Sequence, residues 1–262
     1  MASGSRLFDG PVRWCIFDLM QESLRDADIV PIGVGYYTAA EAARLLKTTP
    51  RNISRWLSGY SYKVSDGHII ETAPLWSPQL PRLGDSLEIG FRDLIELRFV
   101  LAFIRHGVGL NVIRRCLDSA RKIIGEERPF STHRFRTDGK SIFLESLREL
   151  QESGERGGSS AVVDLKTNQM VFKQVVEPTF RDLDLADGSV VQWRPFNGKS
   201  SIVIDPARSF GKPLAADYGV PTVSLATAAK AENSARRVAS LFEVPVAVVN
   251  DAIAFERSLM AA

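Results

Sequence analysis

Between Tyr37 and Tyr60 the sequence leaves little freedom: it encodes two short helices joined by a tight turn. Thr38 and Glu41 have the spacing of a capping box, in which the hydroxyl accepts from the backbone amide of the third helical residue and the carboxylate reaches back. Ala42, Ala43 and Leu46 then give the first helix a small apolar face. Lys47-Thr48 makes the turn. Thr49 is a good N-cap, and Pro50 stands where a missing amide hydrogen costs nothing. Ile53, Trp56 and Leu57 form the inward stripe of the second helix, and Gly59 ends it. Arg51, Asn52, Ser54 and Arg55 are left facing outward near that helix's N-terminus. Helix-turn-helix proteins place their base-contacting side chains there. A plain helical hairpin with solvated arginines has the same pattern.

Charge distribution favours the first of these readings. The net charge of the 262-residue chain is only +2. Residues 36–122, however, carry 13 Lys and Arg against 8 Asp and Glu, net +5, whereas residues 1–35 are net −2 and residues 123–200 net −1. The basic excess therefore sits with the two-helix motif, where phosphate binding needs it.

The rest of the chain predicts an α+β fold, mainly helical, in four parts. Residues 1–35 form an N-terminal arm that packs on its own domain or on a second subunit; Arg13 to Met20 is an apolar run compatible with helix or strand. In residues 36–125 the two helices are followed by a wing: Tyr60 to Val64 alternates like a strand, Ser65-Asp66-Gly67 turns, and His68-Ile69-Ile70 returns. Tyr60, Tyr62 and Lys63 of this wing either touch backbone phosphates or, for the tyrosines, pack onto Trp56. Leu87-Glu88-Ile89 is a short strand, and two longer helices follow, Phe91 to about Arg105 and Leu110 to about Ile124. Residues 126–200 read as a small β-rich middle, with hairpins at 133–144, turning at Thr137-Asp138-Gly139-Lys140, and at 162–172. Residues 201–262 read as a C-terminal three-helix domain. Such small units need a partner or the rest of the chain to bury enough surface.

Both ends resemble known modules. Residues 37–122 are similar to the winged helix-turn-helix of mercury-resistance-type (MerR) regulators, on Thr38 to Trp56 followed by Gly90-Phe91-Arg92-Asp93-Leu94-Ile95-Glu96-Leu97-Arg98-Phe99. Residues 201–259 resemble the helical domain of antitoxins that accompany PIN-like ribonuclease toxins. The residues that carry this are Ile204-Asp205-Pro206, Phe210-Gly211-Lys212-Pro213, Gly219-Val220-Pro221-Thr222, then Val238, Ala239 and Phe242, and Val248, Ala252, Phe255 and Glu256. The combination resembles VapB-type antitoxins. That resemblance implies a homodimer that binds double-stranded operator DNA, represses its own operon and neutralises a cognate PIN-like toxin. It implies base reading by Arg51, Asn52 and Arg55, and phosphate contacts by Arg44 and Lys63. Lys47 stands where glycine is usual in the relatives, so the turn is less tight or Lys47 is itself a phosphate ligand. The long coiled coil and effector domain of typical mercury-type regulators have no counterpart. Phe242, Val246 and Phe255 are the candidate toxin contacts, with core packing as their other use.

Other classes find little support. There is no phosphate-binding Gly-rich loop, no His-Glu-x-x-His, and no Gly-x-Ser-x-Gly elbow, so an enzyme is not expected and no cofactor is implied. Asp182, Asp184 and Asp187 invite a metal-dependent nuclease but lack nearby histidine and read as a polar loop; no metal site is expected. A transcription regulator responding to a small molecule through the middle region is the alternative function. Cys15 and Cys116 match no metal spacing and read as buried thiols. With no signal-peptide pattern and no apolar run of about 18 residues, the expectation is a cytoplasmic protein without a membrane span.

Overall fold

The computed structural model divides the chain into Met1–Pro31 and Ile32–Ala262 and describes residues 33–63, 67–152 and 165–260, all in the second unit. Most of the expected arm, and the wing tip at 64–66, lie outside the described residues.

The helix-turn-helix forms as its caps dictate. Strand β1 (Tyr37–Thr38) leads into α1 (Ala39–Leu46), with the Glu41 amide donating to Thr38 Oγ1 at 3.2 Å and the Thr38 amide donating to Glu41 Oε2 at 3.0 Å. Helix α2 (Pro50–Ser58) starts at Thr49, whose hydroxyl accepts from the Asn52 amide at 3.2 Å. Ala42, Ala43, Leu46, Ile53, Trp56 and Leu57 are all buried. Strands β2 (Tyr60–Lys63) and β3 (Ile69–Thr72) pair antiparallel as the wing, with Tyr62 opposite Ile70. Gly59 connects α2 to the wing at φ 70°, and a Cβ there would lie 2.4 Å from the Thr72 carbonyl oxygen, so only glycine fits. β4 (Glu88–Ile89) pairs with β1.

Helices α3 (Phe91–Arg105) and α4 (Leu110–Ile124) follow as expected. α3 is the central element of the main core. Its Asp93, wholly buried, accepts from Trp76 Nε1 at 2.9 Å, from the Gln79 amide at 2.6 Å and from Arg128 Nε at 2.6 Å. That network holds the proline-rich crossing from the wing. Nearby Glu96 accepts from the amides of Phe130 and Ser131 at 3.2 and 2.7 Å. Complete burial nevertheless pushes its carboxyl up to about 7. The fold therefore keeps Glu96 protonated to near neutrality, while the unfolded chain releases that proton from about pH 4.5 upward. This costs stability progressively as pH rises from 4.5 to 7. Unfolding in urea at pH 4.5 and pH 8 is expected to show Glu96→Gln gaining on the native protein, by about 3 kcal/mol at most. Parallel pH profiles for the two proteins would refute this.

The mainly helical α+β class holds, but the middle of the chain is not β-rich. The hairpin expected at 133–144 is part of one helix, α5 (His133–Glu152), and 165–172 begins another, α6 (Leu165–Phe180). Val162 to Asp164 lie outside the described residues. Thr132 Oγ1 accepts from the Phe135 amide at 3.1 Å and starts α5. Phe135, Gly139, Ile142, Phe143, Ser146, Leu147 and Leu150 then form one buried helical stripe. Gly139 marks a close helix crossing rather than a turn: a Cβ on it would lie 3.0 Å from the Phe172 ring. Rings from α3, α5 and α6, with Phe130, make an aromatic core in which Phe130 and Phe135 lie 4.5 Å apart and Phe103 and Phe143 5.5 Å apart. Each buried ring removes roughly 150–250 Å² from water. The strands of the middle are β5 (Leu183–Ala186) and β6 (Ser189–Trp193), joined by Asp187-Gly188, both at positive φ.

The C-terminal part contains β7 (Ile202–Val203), β8 (Leu214–Ala215), and helices α7 (Thr222–Glu232), α8 (Ala235–Leu241) and α9 (Val246–Met260). The rest of the chain supplies its packing partner. The segment Ser209–Lys212 is clipped to the helix-turn-helix: the Tyr36 amide donates to the Phe210 carbonyl at 2.9 Å, Tyr37 Oη donates to the Gly211 carbonyl at 2.6 Å, and Lys212 Nζ pairs with Glu41 at 2.5 Å. Gly211 has φ 76°, and a Cβ on it would lie 2.3 Å from the Tyr37 hydroxyl. Among the described residues no single helix is long and apolar enough to cross a membrane.

Candidate nucleic-acid interface

Arg51, Ser54 and Arg55 share one face of α2, opposite the buried Ile53, Trp56 and Leu57. Arg51 is exposed and pairs with no other described residue. The Arg55 guanidinium lies over the Tyr60 ring, 3.9 Å from its centroid, and Tyr60 stacks with Tyr62 at 6.0 Å. The two tyrosines thus pack on Arg55 and on each other, with Tyr62 47% exposed. The arrangement holds one guanidinium against the wing and leaves a second, near the start of the helix, without a partner among the described residues. Asn52 points back: its Nδ2 donates to Thr48 Oγ1 at 3.2 Å and braces the turn.

Lys47 solves the turn without glycine. It adopts the left-handed conformation at φ 55°, and the Thr48 amide donates to the Ala43 carbonyl at 3.0 Å. Arg105 of α3 stabilises this turn by donating to the carbonyls of Leu46 and Lys47 at 3.1 and 2.9 Å. The Lys47 side chain is exposed, as are Arg44 on α1 and Lys63 on the wing. These three and the α2 arginines leave a basic surface on the helix-turn-helix.

Part of the basic excess serves the fold instead. Arg114 donates to the carbonyls of Ala73 and Pro74 at 2.8 and 2.9 Å, and Arg121 to that of Leu75 at 2.9 Å. Arg98 is held by Asp182 at 2.6 Å. One cation was not legible from the sequence: Arg82, exposed in the irregular crossing, donates to Ser58 Oγ at the end of α2. No periodicity or spacing in that proline-rich stretch marks it.

The acidic trio does not converge on a free pocket. Asp182 accepts from Arg98 and, at 3.1 Å, from Trp193 Nε1; Asp184 pairs with Arg194 at 2.6 Å; Asp187 forms the hairpin turn. Two of the three carboxylates are thus engaged by arginines of the protein.

At the other end, Phe255 is only 2% exposed and packs edge-on against Phe196 at 5.9 Å. It is an interior residue here, in line with the core-packing use rather than an exposed contact. Phe242 is half-buried at the end of α8, while Val246 and its neighbour Leu241 are 38% and 64% exposed at the α8–α9 corner.

A family described as "Putative DNA-binding HTH domain" matches residues 35–117, from just before β1 into α4. Over 226 residues the chain is 26% identical to "Putative antitoxin VapB45" of Mycobacterium tuberculosis (strain ATCC 25618 / H37Rv), covering 84% of this chain and 93% of that one. Among solved structures, the X-ray crystal structure of Rv2018 from Mycobacterium tuberculosis superposes with a TM-score of 0.61 at 24% identity, covering 86% of this chain and all of that one. The latter likeness is one of fold. The chain thus carries a helix-turn-helix domain of DNA-binding type in a framework similar to a VapB-type antitoxin.

Proposed function

We propose that this chain is a cytoplasmic antitoxin that binds its own operator as a homodimer and neutralises a PIN-like ribonuclease through its C-terminal part. Supporting this reading is one conjunction: a face of α2 that carries Arg51 and Arg55 opposite its buried stripe, in a chain similar over most of its length to an antitoxin. Helix α2 enters the major groove with Arg51 and Arg55 at base edges, and Ser54 between them. Arg44, Lys47 and Lys63 meet phosphates. The side-chain amide of Asn52, bonded within the turn, fixes the entry angle until a base offers it a better partner. The dimer places two such helices about one helical turn of DNA apart. Phe242 and Val246 at the α8–α9 corner contact the toxin.

Gel shifts with the DNA upstream of the gene test the first half, and growth rescue on co-expression with a neighbouring small nuclease tests the second. A chain that restores no growth, or binds upstream and random duplexes equally, contradicts the respective half. Lys63→Ala is expected to weaken binding to all sequences alike and to reduce the slope of log affinity against log salt by about 1. An unchanged slope would take Lys63 out of the interface.

A further inference from the structure

A cleft of about 240 Å³ lies where the helix-turn-helix meets the C-terminal part, between α1 on one side and α7 and α9 on the other. Its walls are apolar: Leu45 of α1, Val223 of α7 and Leu259 of α9. Its carboxylates are already engaged. Glu41 is paired with Lys212 and accepts from the Thr38 amide, and Glu256 accepts from the Thr222 hydroxyl. Glu256, 7% exposed, has no ion-pair partner among the described residues; the exposed charge at the cleft is the Arg44 guanidinium, bonded to no other described residue. An apolar slot whose exposed, unpaired charge is a cation suits a small acid: a carboxylate to pair with the guanidinium and an apolar body to cover the leucines, held away from the buried Glu256. The volume is below the roughly 300–1,000 Å³ of drug-sized pockets. It suits a single ring or a short chain.

We propose that this cleft binds a small aryl or alkyl carboxylic acid, which competes with DNA for Arg44. The competition rests on the phosphate-binding role given to Arg44 above; the binding site itself does not. An acid seated in the cleft withdraws one phosphate contact from the helix-turn-helix and so lowers operator affinity.

The experiment uses the full-length chain and two probes of nearly equal shape, 3-phenylpropionate and the neutral 3-phenylpropanol. Calorimetric titration without DNA is expected to show the acid binding about tenfold more tightly than the alcohol, the size of one charge-assisted hydrogen bond. Arg44→Gln should erase that preference, and Val223→Trp, which fills the slot from an exposed position, should abolish binding of both probes. In gel shifts the acid should weaken operator binding by the native protein and leave Arg44→Gln unaffected. Equal affinity for acid and alcohol, or binding that survives Val223→Trp, overturns the site. Acid binding with no effect on an otherwise normal operator complex overturns the competition. If Arg44→Gln binds operator as well as the native chain does, the phosphate role of Arg44 fails while the site stands.

Discussion

Replacing Arg51 and Arg55 together by alanine is expected to lower operator affinity by roughly 30-fold or more, since removing one side chain from a base edge costs about 1–3 kcal/mol. Affinity for random duplex should fall far less, so the specificity ratio collapses. The two arginines should not contribute alike. Arg51, paired with no other described residue, pays the full ordering of its side chain when it meets a base, whereas Arg55 is already held on the Tyr60 ring. Tyr60→Ala should therefore reproduce part of the Arg55→Ala effect without touching a base itself. Operator titrations of the double variant that overlay those of the native protein would remove α2 from the interface.

Asp93→Ala is expected to destabilise the fold by about 3–5 kcal/mol, the usual cost of breaking a buried ion pair from one side. The substitution strands the Arg128 guanidinium and leaves the Trp76 indole N–H and the Gln79 amide without their acceptor. Urea unfolding measures the loss. The effect should reach the surface, because the same carboxylate fixes the crossing that runs from the wing to α3. A urea-derived loss under about 1 kcal/mol would mean that the network is dispensable.

The helix-turn-helix was legible because local rules agree there. Caps at Thr38 and Thr49, proline at the first helical position and an inward stripe on α2 all act within a few residues. The same holds for α3, α4 and the C-terminal helices. The middle was misread because Thr137-Asp138-Gly139-Lys140 has turn chemistry but sits in α5. There the absent side chain of Gly139 serves a close crossing with α6, a long-range fact no short window contains. Val175 and Val176 likewise look like strand residues and are buried helix residues of α6. In the candidate interface, residue types and positions on α2 were readable. The stacking of Arg55 on Tyr60, the brace from Arg105 and the approach of Arg82 were not, because each depends on which chain segments meet in space. Of the two uses left open for Phe255, the fold shows core packing, which an aromatic on an amphipathic helix cannot declare without knowing whether its face is covered.

The Tyr37–Gly211 clasp has a practical corollary for dissecting this molecule. A version shortened before Ser201 would bare the Tyr37 hydroxyl and deprive Glu41 of its ammonium partner, so tail-less proteins report an injured front half as well as a missing rear. Grafting a foreign tail carries the same penalty unless it brings a glycine to that spot. Substitutions at Leu241 or Val246, on the outward corner, separate the two ends without disturbing the seam.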